Sequence, residues 1–392
     1  MKDHSLAVRL LLNIGHAIDH MFLLIFAASV GVIAQDFGFA NWEDLMPYGA
    51  GAFLLFGIGS IPAGRLGDLW GRRQMMVVFF MGMGASALIV ALVPNAWAMG
   101  AALAVMGAFA SIYHPVGVPM LVQSAAKPGA VIGINGLAGN LGVALAAMLT
   151  GFLVKWLGWR AAFAVPACLS LICGLLFLRF CPHEIASPAK RKSAVSVKLP
   201  ANMLARVLLV VTTAAVAGSI LFNFTTNGNS QLMIERFRGV IDDPATLGVL
   251  LAAIYVIASL AQVVVGRLVD RFPVKPIFLG IVLCQIPFVA FAAQAQGWWM
   301  FVAMLGVMVF TFGAVTFTDV LIVRYVDDRV RSRVAGIRLA VSLGISSAAV
   351  WLLGPVVKQM GFSALFTIMT VVTILTALVV LMLPTEPKTQ DA

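Results

Sequence analysis

The chain of 392 residues is 61% hydrophobic and 11% charged, with a mean hydropathy of +1.01. Soluble domains carry about 25% charged residues, and one soluble core could not absorb so much apolar sequence at this length, so the composition indicates a multi-spanning membrane protein. The formal net charge of +10 would suit nucleic acid on one face of a soluble domain. Here the basic residues stand between apolar runs and report topology instead, so no nucleic-acid partner is expected.

About 20 apolar residues cross a bilayer as a helix. Such runs lie near 7–33, 47–64, 75–93, 97–120, 131–154 and 161–180, then near 207–231, 247–266, 277–294, 298–322, 335–356 and 363–383. The expected fold is therefore all-α, with twelve transmembrane helices in two sets of six. The first run carries Asn13, His16, Asp19 and His20, unlike the plain core of a signal peptide, so no cleavable leader is expected. Between the sets, Pro182, Ser187, Pro188, Lys190, Arg191, Lys192 and Pro200 make a polar linker. The expected domains are 1–180, a cytoplasmic linker over 181–205, and 206–392.

With both termini placed inside, all lysines and arginines except Lys155, Arg160, Arg236, Arg238 and Lys358 fall on the inner side. That excess predicts cytoplasmic termini in a bacterial-type inner membrane. Trp97, Trp156, Trp159, Trp298 and Trp299 stand at expected outer helix ends and read as interfacial anchors. Cys168, Cys173, Cys181 and Cys284 lie in or beside apolar runs at no metal-ligand spacing, and read as packing residues.

After the second run stands Gly64-Arg65-Leu66-Gly67-Asp68-Leu69-Trp70-Gly71-Arg72-Arg73, a charged hairpin between apolar runs. It returns in degraded form as Gly266-Arg267-Leu268-Val269-Asp270-Arg271, starting at 266 instead of 64, an offset of 202 residues. A repeated half is the signature of transporters with a path between two like bundles. Asp68 and Asp270 are expected near helix N-termini or paired with loop arginines. Candidate partners are Arg65, Arg72 and Arg73, or Arg329, Arg331 and Arg333. Gating is accordingly assigned to Gly64, Asp68, Gly71, Arg72, Arg73, Gly266, Asp270 and Arg271.

His16, Asp19 and His20 share one helix face by their i, i+3 and i, i+4 spacing, near the expected midplane. Ionisable residues there are costly, and normally face the protein interior or a water path. They could hold protons or a polar substrate, or ligate a metal. Tyr113 and His114 in span four precede Pro115, with His114 expected deeper toward the cytoplasm. The 202-residue offset maps span one onto span seven, whose polar residues are neutral; Asn223 is the strongest binding candidate there. Asp319 is the lone acid of span ten. Gly133, Gly136, Gly139 and Gly142 recur every third residue and are expected to slide against span eight or eleven.

Twelve spans, the basic linker and Gly64-x-Leu66-x-Asp68-x-x-Gly71-Arg72-Arg73 resemble the major facilitator superfamily. Asn13-Ile14-Gly15-His16-Ala17-Ile18-Asp19-His20, Ser111-Ile112-Tyr113-His114-Pro115 and Gly139-Asn140-Leu141-Gly142 are similar to its fosmidomycin-resistance-type exporters. Ala146-Ala147 stands where exporters carry Gly-Pro, and Val116 where they carry an acid. The resemblance implies two six-helix bundles related by pseudo-two-fold symmetry, alternating access and no enzymatic activity. No nucleotide-binding loop is present, so the expected driving force is an ion or solute gradient.

These readings point to a monomeric, proton-coupled secondary transporter of a small polar or amphiphilic solute, working in the lipid bilayer without a cofactor. Its site candidates are His16, Asp19, His20, Tyr113, His114, Asn223 and Asp319. The alternative is a transition-metal carrier using His16, Asp19, His20 and His114; a membrane-embedded receptor or enzyme is more remote.

Overall fold

The computed structural model describes residues 5–122, 128–182, 201–325 and 328–384. Among them, eleven helices are long and apolar enough to cross a membrane. The last of these is two helices end to end: Gly361 interrupts Asp328–Leu381 with φ 75° and ψ 168°. Dividing it there gives twelve. We label them α1 (Leu6–Asp36), α2 (Ala50–Trp70), α3 (Arg72–Leu92), α4 (Ala96–Ala110, continued below), α5 (Pro128–Leu157), α6 (Trp159–Phe180), α7 (Ala201–Arg236), α8 (Pro244–Arg271), α9 (Val274–Ala292), α10 (Gly297–Tyr325), α11 (328–360) and α12 (362–381).

Local chemistry sets several helix ends. Ser5, Asn95 and Asp243 cap α1, α4 and α8 by accepting from the backbone N–H of Val8, Ala98 and Thr246. Gly71 alone separates α2 from α3, with φ 101°, a conformation that a side chain would strain. The expected hairpin is thus largely helix: Gly64 to Trp70 form the last turns of α2. Asp68 and Asp270 consequently occupy the C-terminal turns of their own helices, against the first of the two expected placements, while the alternative of pairing with loop arginines concerns side chains outside the described residues. α7 begins at Ala201, inside the expected linker; residues 183–200 lie outside the described residues.

In lipid, helices associate mainly through close packing, interhelical hydrogen bonds and small residues. Gly142 lies so close to α1 that an added Cβ would meet the Ala17 carbonyl oxygen at 2.1 Å. Gly139 similarly faces the His16 ring, while only Gly136 approaches α8, at Gln262. Gly139 and Gly142 thus pack within their own bundle, while α5 as a whole also lies along α8, the span-eight counterpart expected from sequence, through Gly136 at Gln262 and Gly151 at Pro244. Aromatic side chains fill both bundles: Phe79, Phe80, Phe163 and Phe177 are buried in the first, and Phe278 stacks on Phe317 in the second. Ile61, Leu92 and Leu175 are exposed, as lipid-facing residues should be.

One tryptophan departs from the interfacial pattern. Trp159 is 3% exposed and donates its indole N–H to Asp36, whereas Trp97, Trp156, Trp298 and Trp299 are exposed. The short Gly158 turn before α6 brings Trp159 beneath the end of α1, where a hydrogen-bond partner is available.

The bundles meet at the end remote from Gly71. Added Cβ atoms at Gly354, Gly248 and Gly151 would lie 2.0, 2.7 and 2.8 Å from the carbonyl oxygens of Glu43, Ala147 and Pro244. Ser347 donates to the Ala50 carbonyl, and Lys358–Asp44 and Lys155–Asp243 ion pairs cross the boundary. Toward the Gly71 end, an added Cβ at Gly133, Gly266 or Gly344 would meet nothing within 4 Å. Among the described residues, these contacts between the bundles gather at the remote end; the side chains of 322–339, toward the Gly71 end, lie outside them.

Candidate functional site: a buried histidine–aspartate cluster

The centre of the first bundle is built from α1, α4 and α5. After Ala110, α4 passes through a π-helical turn at Tyr113–Gly117 before resuming as Val118–Val122. Pro115 has no N–H to donate, and such widened turns frequently occur at functional sites. The turn places His114 beside span one: its ring centroid is 5.0 Å from that of His16 and 5.9 Å from that of His20. Any depth offset between His114 and His16 is thus less than one helical turn and does not keep His114 out of the cluster. Linear spacing along a regular helix could not reveal the swing of that turn.

Asn135 of α5 holds the cluster in register. Its side-chain amide donates to Asn13 and to the Tyr113 hydroxyl, which itself donates to the Leu12 carbonyl. The Asn135 backbone carbonyl lies 2.7 Å from His16 Nδ1. A carbonyl can only accept, so Nδ1 carries the proton and Nε2 of neutral His16 offers a lone pair. His20 Nε2 then donates to it across 3.1 Å. Tyr113 stacks on the His16 ring with centroids 4.8 Å apart. Asn135 escaped sequence reasoning, although a polar residue within an apolar run was an available signal.

Asp19 is fully buried, and neither carboxylate oxygen has a hydrogen-bond partner among the described residues. His114 Nε2 stands 3.7 Å from Oδ2, close enough for attraction but too far for a hydrogen bond. A bare carboxylate so deeply placed costs several kcal/mol unless a proton or cation accompanies it. The His114 side chain is 31% exposed, so the cluster is not sealed.

The second bundle contributes neutral polar groups. Asn223 is buried and donates to Ser346 Oγ and the Ser219 carbonyl. Asn229 donates to the Tyr255 hydroxyl, leaving its buried Oδ1 without a partner. Asp319 falls within α10, but its side chain lies outside the described residues.

The gating candidates separate by position. Gly64 and Gly67 press against Pro115 and Val116, the two residues that follow His114. Arg73 is 6% exposed and donates to the carbonyls of Leu178 and Cys181 at the end of α6, in its own bundle. Gly266 and Arg271 belong to the last turns of α8. Side chains of Asp68, Asp270, Arg329, Arg331 and Arg333 lie outside the described residues.

The Major Facilitator Superfamily profile matches residues 12–239 and 217–392. The chain belongs to this superfamily of membrane transporters. Similar proteins include the multidrug resistance protein MdtG of Citrobacter koseri, 23% identical over 300 residues, covering 75% of this chain and 71% of that one. The puromycin resistance protein pur8 of Streptomyces alboniger is 28% identical over 154 residues, covering 38% of this chain and 30% of its own length. The probable actinorhodin transporter of Streptomyces coelicolor is 29% identical over 136 residues, 33% of this chain and 24% of its own. The matches thus span less than a third of either Streptomyces protein.

Among solved structures, a D-xylose–proton symporter superposes with a TM-score of 0.75 at 18% identity, covering 98% of both chains. A bacterial homologue of the human lysosomal transporter Spinster, inward-facing and occupied, gives 0.71 at 14% identity, covering 96% of this chain and 94% of that one. These similarities establish the fold.

Proposed function

We propose that this protein is a proton-coupled secondary transporter that exports a small polar or amphiphilic solute across the cytoplasmic membrane by alternating access. The observation carrying the coupling is fully buried Asp19, with neither oxygen hydrogen-bonded and His114 3.7 Å away. Such a carboxylate can hold a proton in one stage of the cycle and release it when access changes. Resistance and multidrug names among the relatives support export of small molecules. The lysine and arginine distribution supports placing the Gly71 end in the cytoplasm.

Under this reading, the protein works as a monomer and the solute lies between the His16–Asp19–His20–Tyr113–His114 face and the Asn223 region, with Asp319 as a further proton-binding candidate. Gly64, Asp68, Gly71, Arg72 and Arg73, with Gly266, Asp270 and Arg271, form the cytoplasmic gate. Contacts of Gly64 and Gly67 with the turn around His114 give that gate a direct mechanical connection to the site. Arg73 serves as its fixed support through its α6 hydrogen bonds.

Reconstitution into proteoliposomes tests the reading. Fluxes of amphiphilic drugs and metabolites are measured with and without an imposed pH gradient. A solute accumulated only when the proton gradient is present is expected; transport indifferent to that gradient overturns the coupling.

A further inference from the structure

We propose that His16, His20 and His114 form a reversible site for one divalent first-row transition-metal ion, leaving a coordination position open to the space between the bundles. One ligand atom from each histidine can be chosen so that all three lie within 4.8 Å of one another. An ion bound to imidazole nitrogens at about 2.0–2.1 Å requires tetrahedral nitrogen separations of about 3.4 Å. His16 Nε2 and His20 Nε2 are already 3.1 Å apart. The remaining adjustment is small, and His114, with 31% exposure, has room to make it.

The surroundings favour a ligand role for His16. Its Nδ1–H is directed to the Asn135 carbonyl, which orients the ring and leaves Nε2 for the ion. This is the usual outer support of metal-bound histidine. Tyr113 restrains the same ring by stacking. On binding, the ion replaces the proton between His16 and His20, while His20 turns or shifts tautomer to present a lone pair.

The donor set also determines the ion class. Imidazole nitrogens suit zinc, cobalt, nickel and copper, while magnesium and calcium require oxygen-rich sites. Asp19, whose Oδ2 is 3.7 Å from His114 Nε2, supplies a nearby carboxylate for electrostatic balance. Three protein ligands with an accessible fourth position permit exchange, in contrast to a closed four-ligand structural site. The ion class is therefore a divalent transition metal held exchangeably within the transport path. This proposal concerns the cluster used in the proton-coupling reading but does not require that coupling.

The test uses the full chain with His4 and His183 substituted and no polyhistidine tag, purified after chelation. Cobalt(II) titration is expected to show one saturable site per chain, with d–d absorption of a low-coordinate nitrogen site, displaced by zinc and unaffected by magnesium or calcium. His20→Gln and His114→Gln should each weaken cobalt binding at least about tenfold, while thermal melting and elution confirm folding. Using both half-buried positions avoids dependence on the more deeply buried His16. No saturable binding below about 1 mM, or equal binding in both folded variants, overturns the site. Proton-driven flux in chelated buffer is measured separately: flux without metal binding defeats this proposal alone, whereas metal binding without such flux defeats proton coupling alone.

Discussion

Lys358 of α11 places Nζ 2.6 and 2.7 Å from the two carboxylate oxygens of Asp44, tying the second bundle to the short Trp42–Leu45 helix of the first. The side chains are 46% and 37% exposed, so solvent limits the pair to about 0–1 kcal/mol. Lys358→Gln should shift the population toward the state open at this end by no more than about fivefold. Spin-label distances between positions 97 and 298 should report the shift. It should vanish in high salt, where the native pair is screened.

A steric lock should have a larger effect. An added Cβ at Gly354 would stand 2.0 Å from the Glu43 carbonyl oxygen, a backbone atom that cannot rotate away. Gly354→Ala should hold the remote end open and depress transport turnover at least about tenfold, equivalent to about 1.4 kcal/mol in the transport barrier. Gly344→Ala on the same helix is the contrasting variant, because its Cβ would meet nothing within 4 Å. Retention of the closed spin-label distance in Gly354→Ala would refute the lock.

The span pattern was readable because membrane helices must satisfy their backbone within apolar runs of sufficient length. Expected span one, 7–33, became Leu6–Asp36, and expected span nine, 277–294, became Val274–Ala292. The His16–Asp19–His20 face was equally legible from helical spacing. The approach of His114 and the Asn135 clamp were hidden because a π-helical turn and the juxtaposition of α1, α4 and α5 created them. Arg73 illustrates the same limit: its sequence position suggested a gate, while tertiary structure directs both observed hydrogen bonds to α6.

That arrangement makes Arg73 a stability probe. Arg73→Ala removes both donors from the Leu178 and Cys181 carbonyls in a buried setting. A loss of about 1.5–3 kcal/mol is expected, visible as a lower melting temperature in detergent. Arg73→Lys should recover only part of it, since an ammonium cannot reproduce the planar guanidinium geometry. Native melting behaviour in Arg73→Ala would contradict this role.

Asp243 makes the remote-end contact pH-dependent. Hydrogen bonds from Lys155 and Thr246 lower its pKa from 3.8 to about 2. A depressed carboxylate contributes fully above its ordinary value and loses its contribution as pH falls through the lowered one. The Lys155–Asp243 contribution to closure should remain flat above about pH 4 and disappear toward pH 2. Asp243→Asn should remove this acid-sensitive component of the distance between labels at positions 97 and 298. An unchanged acid transition in that variant would assign the component elsewhere.

Asp19→Asn separates solute movement from proton coupling. The substitution retains side-chain size but removes a group that can exchange a proton, at the fully buried position 3.7 Å from His114. Proton-gradient-driven accumulation should be abolished, while exchange of labelled for unlabelled solute at equal pH continues within about threefold of the native rate. Neither carboxylate oxygen has a hydrogen-bond partner among the described residues, so the new amide can cost about 1–3 kcal/mol if left unpaired. Melting temperature must therefore accompany both transport measurements. Full proton-gradient dependence in a folded Asp19→Asn protein would remove Asp19 from the coupling path; loss of accumulation and exchange together would place it in solute binding instead.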